Sequence, residues 1–442
     1  MWFRRDLRIA DHPALHHAAA EGPVVPLFVV DPAFVRSGAP RLAYMADALA
    51  SLDRSIGDTL VFRHGDPAQV VPALVRETGA ASVVVTRDHG PYGRRRDAAV
   101  AEAVRAAGAN FAGVGANYAV QPGSVTKADS TPYAVFTPFS KMWRAHGWAA
   151  PLDVPDVDWM GAPDVRCDGA PSRPAVATRF GEVSEDAAWD RWNDFLPVAH
   201  RYAEVRNDPA ADGTSRLSAA LRWGVVHPRQ LLHDLGPERG HEVFANELAW
   251  REFYADVLFQ RPDTASTNLN RKMDAMPVDV DAAARDRFQQ WTSGRTGFPI
   301  VDAGMRQLLA SGWMHNRVRM LVASFLVKDL HLPWQWGARH FMQHLVDGDL
   351  ASNSHGWQWT AGTGTDAAPY FRIFNPTTQG LRFDPDGDYV RRWVPELAGV
   401  AGGAAHTPGP LMAPDYPSPM VDHAVERDDA LARYRSATAG SR

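Results

Sequence analysis

The sequence predicts two domains: an α/β N-terminal domain on a parallel, Rossmann-like sheet, followed by an all-α C-terminal domain. Three observations predict it. The chain has 442 residues, more than one hydrophobic core usually supports, so two cores are the default expectation. Short β-branched runs alternate with amphipathic stretches in the first part, the pattern of strands joined by crossover helices. Beyond about Glu182 the apolar residues recur at helical spacing instead.

Taken in order, Met1 to Phe3 reads as the stub of a first strand, too short to span a sheet, which suggests a truncated or misassigned start. Strands follow at Val24 to Val30, Leu60 to Arg63 and Ser82 to Thr86, with helices at Leu42 to Ile56, Pro67 to Thr78 and Gly93 to Ala107. From Ala149 to Ala177, Pro151, Pro155, Pro163, Pro171 and Pro174 stand among scattered Asp and Gly, which disfavours regular structure. Helices then read at Glu185 to Asp194, Arg216 to Trp223, His227 to Leu235, His241 to Phe259, Asp302 to Ser311, His315 to Lys328 and Trp334 to Leu345, with a last one near Val421 to Ser436. The domain boundaries expected are 1–122, a connecting segment 123–190, and 191–442.

Composition excludes several classes. No apolar run approaches the roughly 20 residues that span a bilayer, and the start lacks a signal-peptide core, so a cytoplasmic protein is expected. One cysteine, Cys167, rules out a disulfide framework or a Cys-rich metal site within the chain. A net charge of -5 argues against a general nucleic-acid coat. A local basic stretch remains, with Arg317, Arg319, Lys328 and Arg339 against Asp329; alone, such a cluster is more often a solvated helix face.

Each motif has a bland reading. Gly113-Val114-Gly115 lacks the third glycine of a dinucleotide fingerprint, since Tyr118 stands there, and reads as a loop glycine pair. His340 and His344, one helical turn apart, have no evident third ligand and read as structural, as do His12 and His16, so no metal is expected. Asp347-Gly348-Asp349, close to Asn353, would pass as an acidic surface turn that Arg251 and Arg319 could meet. Density changes the odds. Glu247, Trp250 and Arg251 share one helix face by spacing, and Asn316, Arg319 and Met320 share another. Burying that many charges together is costly unless they pair or bind a polar ligand. Of the 15 Trp, Trp291, Trp313, Trp334, Trp336, Trp357 and Trp359 fall in the second domain. Core anchoring is the ordinary role of Trp, but a flat indole also stacks on nucleobases and is oxidisable enough to pass electrons.

In order along the chain, Trp2-Phe3-Arg4-Arg5-Asp6-Leu7-Arg8, Thr214-Ser215-Arg216-Leu217-Ser218, Asn246 to Tyr254 and the dense stretch Thr296 to Phe383 resemble the cryptochrome/photolyase flavoproteins, and within them the bacterial class I cyclobutane pyrimidine dimer photolyases. The resemblance implies FAD, reduced as FADH⁻ when active, in the helical domain. It implies Tyr202 and Thr214, Ser215, Arg216, Leu217 and Ser218 at the phosphates, hydroxyls and backbone N–H groups near a helix start being suited to an anion. Arg251, Arg319, Asp347, Gly348 and Asp349 would surround the isoalloxazine and ribityl parts, Asn353 would face the flavin N5, and Phe244 stands where relatives often carry Trp. The implied activity is light-dependent repair of pyrimidine dimers in UV-damaged DNA by electron transfer to a flipped-out dimer, with Glu247, Asn316, Met320, Trp250 and Trp359 at the dimer and Arg206, Arg317 and Gln379 on DNA. Trp357, Trp334 and Trp291 match a chain of three Trp that carries electrons from the surface to the flavin. An antenna chromophore is implied in the N-terminal domain. Folate-binding relatives place a Glu where this chain has Ala112, so deazaflavin, folate and an empty pocket stay open. The alternatives are a (6-4) photolyase, which would carry two histidines in place of Asn316 and Met320, a cryptochrome photoreceptor without repair, and a generic flavoprotein oxidoreductase, which would want a pyridine-nucleotide fingerprint. A monomer is expected.

Overall fold

The computed structural model describes residues 1–35, 37–161, 165–178, 180–367, 369–370 and 372–439; Pro163, named above, lies outside them. The chain folds as two compact units, Met1–His200 with Ser215–Pro262, and Arg201–Thr214 with Asp263–Arg442. The helix Arg239–Gln260 belongs to the first unit because its buried Glu252 accepts hydrogen bonds from Ala119 N (2.5 Å), Val120 N (3.0 Å) and Trp143 Nε1 (2.6 Å). One turn on, Asp256 accepts from Gly123 N at 2.6 Å, and burial pushes its carboxyl up to about 6.

In the first unit, β1 (Trp2–Phe3), β2 (Leu27–Val30) and β3 (Val61–His64) pair in parallel, and β4 (Ser82–Arg87) pairs in parallel with β5 (Asn110–Ala116). The strands are parallel, as expected, but form two pieces. β1 pairs with β2 only through Trp2 opposite Leu27 and Phe3 opposite Phe28, and a cavity of about 260 Å³ lies among Met1, Trp2, Val24, Leu27, Val75 and Val83. The helix Pro67–Thr78 has the expected bounds because its signals are local: Asp66 accepts from Ala68 N, Pro67 fills the first turn, and Gly79 closes it at φ 68°.

β5 corrects the reading of Gly113-Val114-Gly115 as a loop. Val85 faces Gly113 and Arg87 faces Ala116, so β5 carries one extra residue there, and Gly115 takes up the bulge at φ 67°. Gly weakens a strand on propensity alone, and the pairing with β4 overrides it. The connecting segment also holds a helix, Phe136–His146, which buries Phe136, Phe139, Ser140 and Trp143 at helical spacing.

Beyond Ala116 every regular element among the described residues is helical, apart from isolated bridges. The second unit closes around Trp291, Met305, Leu308, Met314, Val318, Phe325, Phe341 and Trp357. The helix expected to run from His315 to Lys328 instead spans Asn316–Ser324 and ends in a π turn, Phe325–Asp329. Lys328 is buried there and donates to Arg372 O at 3.0 Å.

Candidate functional site

The two densest motifs meet in the second unit. Gly312 ends the helix Pro299–Ser311 at φ 64°, and its carbonyl accepts from Val346 N at 2.8 Å, which ties the Trp313 loop to the turn before Asp347. His315 Nδ1 accepts from Arg317 N and starts the helix Asn316–Ser324. One turn in, Arg319 donates from Nε to Met314 O and from its guanidinium to Asp347 Oδ2, both at 2.8 Å. The Asp347 side chain is 4% exposed. A carboxylate that buried needs a partner for each oxygen. Arg319 serves one; Oδ1 is buried without a hydrogen-bond partner. Asp349 does different work, accepting from Ala351 N and Ser352 N at 3.1 Å as the cap of the helix Leu350–Ala361.

That helix is buried at Ala351, Ser354, His355, Trp357 and Gln358 but half-buried at Ser352, Asn353, Gly356 and Trp359. Asn353 donates from Nδ2 to Ala338 O at 3.0 Å. A carbonyl can only accept, so this bond fixes which end of the amide faces it.

Nearby, Arg317 donates to Asn207 Oδ1 at 2.8 and 3.2 Å, approaches Met320 Sδ at 3.8 Å and lies 4.4 Å over the Phe383 ring. Asn316 is exposed, while Arg206 and Gln379 are half-buried. Arg206 lies 5.5 Å over the ring of the buried Tyr202, and Thr214 is half-buried. Sequence reasoning missed Asn207 and Phe383, because no local pattern announces a residue whose role is to hold an arginine from another element. The basic stretch does not form one solvated face: Arg317 and Arg319 are held as described, Lys328 is buried, and Arg339 alone of the four is exposed.

In the first unit, Glu247, Trp250 and Arg251 are half-buried on the helix whose Glu252 and Asp256 face inward. Trp250 stacks on Phe136 with centroids 3.7 Å apart and planes 6° from parallel. Arg251 donates to Asn117 O (3.0 Å) and Leu221 O (3.2 Å) over the Tyr118 ring. Phe244 is buried 5.4 Å from Trp192 and 5.3 Å from Phe195. Within Ser215 to Ser218, Arg216 sits at φ 52° beside buried Ser215 and Leu217, and Ser218 Oγ is buried without a partner.

Trp357 and Trp291 are 3% and 0% exposed and meet edge to face at 6.1 Å, with Phe341 packed against both. Gly337 permits the close approach of its helix, since a Cβ there would fall 2.0 Å from the Trp357 ring. Trp334, 5% exposed, donates to Asn268 Oδ1 at 2.8 Å. Trp291 is wholly buried and donates from Nε1 to Val322 O at 3.1 Å.

His340 lies 5.6 Å from Trp291 and 4.4 Å from His344; burial, then the neighbouring imidazole, lowers its pKa to about 3. Between that value and the ordinary 6.5, the unfolded chain binds a proton that the folded protein refuses, so stability falls as pH drops through this window. The His340→Gln variant should therefore lose about 2 kcal/mol less than the parent between pH 7.5 and pH 5 in urea denaturation; equal losses would contradict a buried neutral imidazole. Elsewhere, His331 Nε2 lies 2.7 Å from Glu426 Oε2 and 3.4 Å from Asp429 Oδ2, and Arg433 pairs with Asp429. Sequence reasoning passed over this cluster, which ties the helix His423–Ala439 to the turn after the π segment.

Residues 1–156 match the DNA photolyase family and residues 244–436 match the FAD binding domain of DNA photolyase. The chain belongs to the DNA photolyase family. It is 42% identical to a deoxyribodipyrimidine photo-lyase of Streptomyces griseus, covering 98% of each chain. Among solved structures it resembles a class III photolyase from Agrobacterium tumefaciens (TM-score 0.89, 37% identity, 99% of this chain and 97% of that one) and a Synechocystis cryptochrome (TM-score 0.89, 26% identity, 98% of each). The photolyase cofactor, FAD, fits the polar groups this chain offers. Within the second unit, Asp347 Oδ1 is a buried acceptor that needs a donor, and a flavin carries ribityl hydroxyls and ring N–H groups. No helix among the described residues is long and apolar enough to cross a membrane.

Proposed function

We propose that this photolyase-family protein is a deoxyribodipyrimidine photo-lyase of the class I type, which splits cyclobutane pyrimidine dimers in UV-damaged DNA under light and acts as a monomer. The observation that carries the reading is the Arg319 clamp, which fixes Met314 O and one oxygen of buried Asp347 while leaving the other oxygen as an acceptor beside the half-open stripe of Asn353 and Trp359. The class I assignment rests on motif resemblance, because 42% identity to one photo-lyase and 37% to a class III structure do not separate the classes.

When bound, reduced FAD supplies an electron to the dimer under light and receives it back, so the repair has no net redox change. In this reading Arg251, Arg319, Asp347, Gly348 and Asp349 hold the isoalloxazine and ribityl parts, and Asn353 presents its amide at the flavin N5. Tyr202, Thr214 and Ser215 to Ser218 hold the phosphates, and Phe244 packs beside the cofactor. Trp250 has one ring face covered by Phe136, so only its other face is left for a base; with Trp359 it stacks on the flipped dimer. Flipping costs a few kcal/mol, least for damaged and poorly stacked pairs, a general property of photolyases. Glu247 hydrogen-bonds the pyrimidine carbonyl edge, and Asn316 and Met320 contact the dimer. Arg206, Arg317 and Gln379 take the DNA, where backbone contacts fix position without reading sequence. Trp357, Trp334 and Trp291 relay electrons that restore the reduced cofactor. Residues 1–122 form an antenna-binding domain, with deazaflavin or folate as its chromophore.

Illumination of the reduced protein with dimer-containing single-stranded and duplex DNA tests the function; unchanged dimers would move the reading to a cryptochrome. The fluorescence spectrum of chromophore extracted from the purified protein separates deazaflavin from folate.

A further inference from the structure

We infer that Trp336 is the solvent-side terminus of the Trp relay, the residue on which the electron vacancy left by flavin reduction comes to rest and from which a proton leaves for water. The inference rests on the relay reading of Trp357 above. A tryptophan that has given up an electron is far more acidic at Nε1 than the neutral ring, and the charge is trapped only where that proton can depart. Trp291 has no such exit: it is 0% exposed, and its Nε1 donates to the backbone carbonyl Val322 O inside the core. Trp334 is 5% exposed with Nε1 on Asn268 Oδ1. Neither meets water freely.

Aromatic contacts continue outward from Trp291. Phe288 stacks on it at 5.7 Å with planes 19° apart, and Phe288 meets Trp336 edge to face at 5.4 Å. Trp336 is half-buried, and it is the half-exposed Trp among the described residues that ring contacts connect to Trp357, through Phe288 and Trp291. Phe288 is harder to oxidise than Trp and acts as a bridge that the electron crosses without resting. Trp336 loses one electron and its Nε1 proton goes to water; a soluble one-electron donor such as a thiol then returns the electron, and water returns the proton.

The test is transient absorption on the oxidised-flavin holoprotein, reading the yield of the long-lived deprotonated tryptophan radical and its rate of quenching by added thiol. Bound-FAD content and far-UV dichroism serve as fold controls. Trp336→Phe should lower that yield at least about tenfold, and Trp336→Tyr should restore a long-lived radical with a tyrosyl spectrum. Trp357→Phe should abolish radical formation altogether. A normal yield in Trp357→Phe would refute the relay reading itself. Loss in Trp357→Phe with a normal yield and normal thiol quenching in Trp336→Phe would overturn the present inference and leave the relay reading standing. Should Trp336→Phe lose FAD, the parent decides: a long-lived tryptophan radical that added thiol cannot quench also overturns it.

Discussion

Arg319→Ala should cost the protein most of its bound FAD and about 3 kcal/mol of stability. The guanidinium joins three parts of the second unit: its own helix, the Met314 carbonyl and the Asp347 turn. Removing one partner of a buried pair leaves the other charge uncompensated, at a cost of about 3–5 kcal/mol; the lower end applies because the Arg319 side chain is 25% exposed and part of the loss is screened. Arg319→Lys should rescue poorly, since one ammonium does not reproduce two directed donors on a planar fork. Asp347→Asn keeps an acceptor at the site and removes the buried charge, so it should be milder in stability yet still weaken FAD retention. Guanidinium denaturation and the ratio of FAD to protein after gel filtration check these outcomes. Parent-like retention in Arg319→Ala would remove the clamp from the account.

Glu247→Ala should lower the quantum yield of dimer repair several-fold while leaving affinity for dimer-containing DNA within about twofold. Its proposed work is to stabilise negative charge that exists on the pyrimidine only after the electron arrives, and an interaction realised only at that stage changes the rate of the step more than binding. The residue sits half-buried on a helix whose opposite face is pinned by Glu252 and Asp256, so truncation at Glu247 should not disturb the helix. Flash photolysis with a bound dimer measures the yield, and a filter or fluorescence titration measures affinity. A parent-like yield would refute the role.

How much could be read in advance follows from where each signal resides. The helix Pro67–Thr78 was legible because its cap, first-turn proline and terminal glycine are adjacent in sequence. β5 was not, because Gly113 and Gly115 argue locally for a loop and only pairing with β4 makes them a bulged strand. At the site, spacing put Arg319 and Met320 on one helix face and suggested that an arginine meets the acidic turn; the structure shows Arg319 doing so, while Arg251 donates to backbone carbonyls. Asp347 and Asp349 look equivalent in sequence, yet one is a buried acceptor and the other a helix cap. Trp291 matched a relay position by resemblance, but burial is a tertiary property, and its contact with Val322 O could not be read from residue order.

The most direct measurement illuminates the FAD-reduced protein with two duplexes, one holding a cyclobutane pyrimidine dimer and one a (6-4) photoproduct, and counts each lesion against dark controls. Cyclobutane dimers should disappear in light alone and (6-4) products should persist, consistent with Asn316 and Met320 in place of paired histidines. Cyclobutane dimers that survive illumination while reduced FAD stays bound would contradict the repair reading.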